Sequence, residues 1–230
     1  MGEGIGNEEQ LMPFINSANI ACGYHAGDEA GMQQVVELCL KYNVNIGAHP
    51  SFLDRENFGR TEMQLSLIEV YSIITDQLNI LNDIVRRNNA KLHHVKPHGA
   101  LYNMAAKYPG IAHAVARAVK NFDPSLICYG LSGSKMITMA KEEGLQTASE
   151  VFADRTYQPD GSLTPRSQSN ALLSDANDVV KQVLKFVKDN KVTAVTGEEI
   201  IVQADTICIH GDGKYAVEFA KAIHQRLHED

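Results

Sequence analysis

The chain has 230 residues, of which 44% are hydrophobic and 21% are charged. This composition supports one sizeable core and excludes a disordered chain. The formal net charge of −7 argues against a surface for nucleic acid or anionic membrane, because phosphate binding needs clustered lysines and arginines and the sequence has no such cluster. We therefore expect a small molecule or a protein as the partner, with no nucleic acid and no membrane.

The cysteines and the hydropathy pattern indicate the compartment. No CxxC pair occurs, which argues against a zinc ribbon or a small disulfide scaffold and predicts reduced thiols in a core. No apolar stretch approaches the ~18 residues of a membrane span, and no basic segment precedes an apolar one at the N-terminus. The sequence predicts a cytoplasmic protein.

Apolar runs alternate with amphipathic segments along most of the chain, as in a parallel sheet with crossover helices. A single domain over residues 1–230 is expected, with no linker and no repeat. The predicted strands are Asn19–Cys22, Val44–Ala48, Leu92–Lys96, Leu126–Gly130, Ala148–Phe152 and Thr206–His210.

The predicted helices carry their own start and stop signals. Asp28 is expected to cap the first of them, and Ser66 with Glu69 forms a capping box before a long apolar stripe. Thr196-Gly197 predicts a small hairpin. The further helices are expected at Met104–Val119, Ser134–Glu143, Ser174–Lys188 and Tyr215–Leu227.

Polar and titratable residues fall at the carboxyl end of nearly every predicted strand. In a barrel or a doubly wound sheet such positions share one rim, so we expect them to converge on one pocket. In chain order they are His25 and Asp28, His49, Lys96 and His98, Ser132 and Ser134, Glu150 with Asp154 and Arg155, and His210 with Asp212.

Each of these residues also has a structural explanation. His25 fits a hydrogen-bonded glycine turn, His49 fits a satisfied packing residue at a strand end, and Asp28 fits a helix cap. Lys96 is harder to explain by packing, since burying an ammonium alone costs several kcal/mol. His25, His49 and His98, with or without an Asp, are candidate ligands of a catalytic zinc-type site, although no HxxxH or HExxH spacing supports a metal.

A nucleotide loop is not indicated. "GLSGS" at residues 130–134 lacks the lysine and the spacing of a P-loop, and no strand precedes the opening "GEGIG".

Five motifs, in order along essentially the whole chain, resemble the signatures of the LamB/YcsF family: "SANIACGYHAGD", "IGAHPSF", "HVKPHGALYNMAAK", "ASEVFADRTYQPDGSLTPRS" and "QADTICIHGDG". The resemblance implies an α/β fold, namely a seven-stranded (β/α) barrel of the glycoside hydrolase and deacetylase type. It also implies the activity of the A subunit of the ATP-hydrolysing 5-oxoprolinase, which opens 5-oxoproline to L-glutamate with subunits B and C.

The N-terminus departs from the family pattern. Family members begin with a strand similar to DLNCDLGEGFG, whereas this chain starts at "MGEGIG", so the first strand is missing and Glu3 remains from the motif. Two unpaired strand edges are then expected, with aggregation or pairing to another chain.

This reaction needs a base, a cation and a clamp for the substrate carboxylate. His25 or His98 is predicted as the base, oriented by Asp28 or Asp212, and Lys96 as the cation that stabilises the oxyanion or phosphate. Arg155 or Arg166 is predicted to hold the carboxylate. The full predicted substrate-binding set is Glu3, Asn19, His49, Glu150, Arg155, Arg166 and His210.

ATP is expected as co-substrate, handled with the partner subunits, and a divalent metal stays open as a cofactor. Two alternatives remain: a metal-dependent deacetylase-type hydrolase, and a non-catalytic subunit that binds the lactam.

Overall fold

The computed structural model describes residues 1–228, which form two compact units. The first unit comprises residues 1–130 and 134–147, and the second comprises residues 131–133 and the chain from residue 148 onward. Both units contain parallel strands with helices between them in chain order. The predicted α/β class is therefore confirmed, and each of the six predicted strands matches an observed strand to within two residues.

Within residues 1–147, the first unit is built on parallel strands that pair in the order β1-β2-β3-β4. These are β1 (Ser17–Ala21), β2 (Asn45–His49), β3 (His94–Val95) and β4 (Ile127–Leu131). Ala21 pairs with His49 and Ala48 with Val95, so the carboxyl ends of β1, β2 and β3 lie side by side.

The helices of the first unit begin where the sequence supplies caps. The Asp28 side chain accepts a hydrogen bond from the Gly31 N–H, and Ser66 and Glu69 form the predicted capping box. The helices are α1 (Glu8–Leu11), α2 (Glu29–Tyr42), α3 (Leu67–Arg87), α4 (Gly99–Lys107), α5 (Pro109–Phe122) and α6 (Lys135–Glu142). A short 3₁₀ turn, Met12–Phe14, follows α1.

One predicted helix, Met104–Val119, is in fact two. The chain is extended at Tyr108, and Pro109 begins α5 at its first position. Proline forces the preceding residue out of the helical region and suits a helix start, so the apolar periodicity continues across a real break.

The core of the first unit lies between the strands and the apolar faces of the helices. Val70, Ile74 and Leu78 of α3 and Val115 and Val119 of α5 are fully buried. This burial is what the three- and four-residue spacing of the apolar residues dictates.

The second unit contains one parallel strand pair and one hairpin. β5 (Thr147–Phe152) pairs with β8 (Thr206–Cys208), and the predicted hairpin is present as antiparallel β6 (Lys191–Thr193) and β7 (Glu199–Ile201). The remaining helices are α7 (Ala176–Asp189) and α8 (Ala216–His228).

The four cysteines, Cys22, Cys39, Cys128 and Cys208, form no disulfide. Burial raises the pKa of the first three thiols to about 12, as expected for cysteines packed as small hydrophobes. Across residues 1–228, no helix combines the length and the apolar character that a membrane crossing requires.

Candidate functional site

The first unit collects three histidines and a carboxylate beside the ends of its strands. His49 ends β2, His25 lies in the turn after β1, and His98 follows β3 and precedes α4. Glu3 of the N-terminal segment reaches the same place. All three histidines are buried or nearly so, and this part of the predicted convergence is observed directly.

His25 links Glu3 to the interior. The Ser51 hydroxyl donates to the Phe52 carbonyl at 2.9 Å, and its oxygen lies 2.9 Å from Nδ1 of His25. Nε2 of His25 lies 3.1 Å from Oε1 of Glu3. Burial acts to raise the pKa of Glu3, but the amino-terminal ammonium and the His25 hydrogen bond outweigh it and lower the pKa to about 2. Glu3 is therefore an ionised acceptor.

His49 and His98 face one another. Nδ1 of His49 donates to the Lys96 carbonyl at 2.7 Å, and Nε2 of His98 donates to the Phe58 carbonyl at 2.8 Å. The other two ring nitrogens, Nε2 of His49 and Nδ1 of His98, are 3.0 Å apart. Burial is the main cause that lowers the pKa of both rings, that of His98 to about 3.

The donor atoms of Glu3, His49 and His98 all lie within 4.8 Å of one another. The His25 ring stacks on the His98 ring, with centroids 3.8 Å apart and planes 8° from parallel. Two nitrogen donors and one carboxylate oxygen form a typical donor set for zinc.

Two glycines allow the histidines to pack this closely. A Cβ on Gly59 would lie 2.9 Å from side-chain atoms of both His25 and His98, and Gly59 has a φ of +67°. A Cβ on Gly99 would lie 2.3 Å from the Gly59 carbonyl oxygen, at a φ of +57°. Real Cβ atoms do not approach this closely, so both positions require glycine.

Asn19 and His94 form a second contact in the first unit. Nε2 of His94 donates to Oδ1 of Asn19 at 3.1 Å, Nδ1 faces His93 at 3.2 Å, and the ring stacks on Tyr129. Burial lowers the pKa of His94 to about 3. Asn19, a predicted substrate-binding residue, thus has a structural partner.

Lys96 and Asp28 have distinct surroundings. Lys96 is buried, with its ammonium 5.6 Å from the centre of the Tyr102 ring, within reach of a cation–π interaction. The side chain of Asp28 is exposed and caps α2. The acid that contacts His25 is Glu3, rather than the predicted orienting residue Asp28.

The second unit has its own acid and histidine. The carboxylate of Asp154, which follows β5, accepts Nδ1–H of His210 at 2.9 and 3.0 Å and also the His210 backbone N–H at 3.2 Å. Burial acts to raise the pKa of Asp154, but the charge and hydrogen bonds of His210 prevail and lower it. The His210 side chain is 24% exposed, so this ring reaches solvent.

Arginine supplies positive charge in the second unit. Arg155 is buried and donates to the carbonyls of Ala171 and Thr164, at 3.2 and 2.5 Å. Burial and the nearby charge of Arg166 lower the pKa of Arg155 to about 10. Of the other predicted residues here, Glu150 is buried, Asp212 is partly buried and Arg166 is exposed.

Sequence reasoning did not find two residues that build these sites, Ser51 and Phe58, and it named Asp154 without pairing it to His210. Ser51 and Phe58 hold His25 and His98, and Asp154 holds His210 from 56 positions away. Asp154 is recognisable as a strand-end acid, but its partner is set by the pairing of β5 with β8.

The fold and these strand-end residues define an α/β protein with a buried histidine–carboxylate centre. The chain belongs to the LamB/YcsF family, whose profile matches residues 1–230. A relative in Staphylococcus carnosus, named as the A subunit of 5-oxoprolinase, is 51% identical over 99% of this chain and 92% of its own length.

Two further comparisons agree. A Tolumonas auensis protein of the same name is 52% identical over 97% of this chain and 89% of its own. The crystal structure of a lactam utilization protein from Thermus thermophilus superposes with a TM-score of 0.91 at 39% identity, covering 97% of this chain and 90% of that one.

Proposed function

We propose that this chain is the A subunit of an ATP-dependent 5-oxoprolinase, which opens the lactam of 5-oxoproline to L-glutamate. The observation that carries the proposal is identity of about 50% to relatives of that name along nearly the whole chain. The lactam utilization protein, with a TM-score of 0.91, supports it independently. A cytoplasmic location is part of the proposal, supported by the four thiols without a disulfide.

The chemistry explains why ATP is needed. A five-membered lactam is a resonance-stabilised amide, so water attacks it slowly and opening it gains little free energy. Transfer of the terminal phosphoryl group of ATP to the carbonyl oxygen releases ADP and makes the carbon electrophilic. Water then attacks this carbon, the C–N bond breaks with protonation of the nitrogen, and phosphate leaves to give glutamate. Because the sequence has no nucleotide loop of its own, the proposal assigns the nucleotide chemistry to partner subunits B and C.

The base in this proposal is His210. Both ring nitrogens of the predicted candidates His25 and His98 lie within 3.1 Å of a polar atom of another residue, so the rings are enclosed. His210 instead has Nδ1 held by Asp154 and a ring that reaches solvent, which leaves Nε2 to take a proton from water. Asp154 acts as its positioning residue.

Each unit holds cations of its own. Arg155 and Arg166 lie close enough for their charges to repel, so an anion near them is stabilised, and the substrate carboxylate is such an anion. In the first unit, Lys96 is buried, and its ammonium is proposed to stabilise an oxyanion or a phosphate that binds to that unit.

The reaction is tested by mixing the chain with subunits B and C and measuring ATP-dependent formation of glutamate from 5-oxoproline. We expect turnover with all three and none with the chain alone. Full turnover by the chain alone overturns the role of the partners, and no turnover by the mixture overturns the proposed activity.

The carboxylate clamp has a separate test. Arg166→Ala is expected to raise KM for 5-oxoproline roughly 10-fold or more, because a charge-assisted hydrogen bond is lost. Arg117→Ala, an exposed arginine on α5, is the matched control and should leave KM unchanged. Equal KM values for the two variants contradict the clamp.

A further inference from the structure

The strongest unexplained feature is the contact between His49 and His98. A carbonyl oxygen accepts hydrogen bonds and never donates them. The Lys96 carbonyl therefore holds the proton of His49 on Nδ1, and the Phe58 carbonyl holds the proton of His98 on Nε2. In their neutral forms, both rings then direct lone pairs at one another across 3.0 Å. Two facing lone pairs repel unless one cation binds to both of them.

The surroundings supply the remaining parts of a metal site. Glu3 brings a carboxylate oxygen within 4.8 Å of a ring nitrogen of His49 and a ring nitrogen of His98. Two nitrogens held ~2.0–2.1 Å from one zinc ion at a tetrahedral angle lie about 3.3 Å apart, close to the observed separation. Two imidazoles and one carboxylate leave a fourth position open, as in catalytic zinc sites.

We propose that Glu3, His49 and His98 bind a divalent metal ion of the Zn²⁺ type. The lone pairs of Nε2 of His49 and Nδ1 of His98 are the nitrogen ligands, and the carboxylate of Glu3 is the third. Such an ion activates water or polarises a carbonyl. The use of that chemistry on a lactam rests on the proposed function, whereas the binding of the metal does not.

The outer contacts are those expected around a metal ligand. Each ligating ring donates its other N–H to a backbone carbonyl, which fixes the tautomer and the ring orientation. His25 orients Glu3 through Nε2 and is itself held by Ser51. The stack of His25 on His98 and the contact with Gly59 restrict movement of the rings. The site is thus built before a metal arrives.

The test is a calorimetric titration of chelator-treated protein with Zn²⁺ alone, without substrate, ATP or partner subunits. We expect one ion per chain. His49→Ala and His98→Ala should each weaken binding by roughly 100-fold or more, and Glu3→Gln should weaken it as well, since a ligand is lost in each. His113→Ala is the matched control, because His113 is a partly exposed first-unit histidine paired with Glu143.

A second readout guards against misfolded variants. Co²⁺ bound to the wild type should show the visible absorption of a tetrahedral site, and Glu3→Gln, which changes no buried ring, should alter that spectrum. The proposal is overturned by the absence of stoichiometric binding in the wild type, or by unchanged affinity in the ligand variants.

Glutamate formation is measured separately. If the chain binds zinc but the mixture with the partner subunits forms no glutamate, the metal site is supported and the proposed reaction is overturned. If glutamate forms but the chain binds no zinc, the proposed reaction is supported and the metal site is overturned.

Discussion

Each of the two units of this chain holds a histidine site, and the sites differ in what the ring nitrogens contact and in how far the rings reach solvent. In the first unit, the rings of His25, His49 and His98 are closed in, and each ring nitrogen lies within 3.1 Å of a polar atom of a neighbouring residue. In the second unit, His210 has one nitrogen fixed by Asp154 and a ring that reaches solvent. Buried rings whose lone pairs face each other are suited to binding a metal ion. A histidine that is held by an acid and whose ring reaches solvent is suited to proton transfer.

The largest expected effect concerns the dependence of the reaction on Asp154. Asp154→Asn keeps the size of the side chain but loses the carboxylate that orients His210, so kcat for glutamate formation should fall roughly 10²–10⁴-fold with little change in KM. Asp160→Asn, which alters an exposed loop acid of the same unit, should have normal turnover. Similar kcat values for both variants would remove His210 from the mechanism.

Close packing of the first site predicts a large stability effect at Gly99. Gly99→Ala places a Cβ against the Gly59 carbonyl at a left-handed φ, which should lower the free energy of unfolding by about 3 kcal/mol. Gly133→Ala of the second unit has a φ of +75° but no atom within 4 Å of the new Cβ, so it should cost about 1 kcal/mol. Urea unfolding compares them, and equal losses contradict the steric account.

The pH dependence of the free energy of unfolding should also differ between groups of the first unit and groups of the second. Folding lowers the pKa of His94 from 6.5 to about 3, so between these values the unfolded chain binds a proton that the folded chain does not, and stability falls as pH drops below 6.5. His94→Gln should show a smaller fall between pH 7 and pH 4 in urea unfolding.

Asp154 titrates in a different range. Its pKa is lowered below 3.8 in the folded chain, so its stabilising effect is present above that value and is lost as pH falls below it. The stability difference between wild type and Asp154→Asn should therefore persist at pH 5 and shrink at pH 3. A difference that shrinks between pH 7 and pH 5 instead would contradict the assignment.

The smallest effect is thiol reactivity. Cys22, Cys39 and Cys128 of the first unit are buried with their pKa raised to about 12, whereas Cys208 of the second unit is partly exposed. A thiol reagent should label Cys208 first in the native protein and all four cysteines in urea. Early labelling of a first-unit cysteine in the native protein would show that its core is open.

Local signals in the sequence predicted much of the fold. The caps at Asp28 and Ser66 and the glycine turn of the hairpin act over three or four residues, so the sequence displays them directly. The break at Pro109 was missed because the apolar spacing continues across it. The strands were found because each is a short buried apolar run bounded by turn residues.

The site was only partly predictable. His25, His49 and His98 stand at strand ends, and the parallel register brings such positions together. Their tautomers depend on the carbonyls of Lys96 and Phe58, and the partner of His210 depends on the pairing of β5 with β8. These contacts are set by tertiary structure, and no spacing in the sequence encodes them.

The most direct test of the central claim is a ¹⁵N NMR measurement of the imidazole nitrogens before and after addition of Zn²⁺. The account predicts a proton on Nδ1 of His49 and on Nε2 of His98. Zinc should then shift the two bare nitrogens of these rings and leave those of His210 in place. Opposite tautomers, or a zinc-induced shift at His210 instead of at His49 and His98, would contradict it.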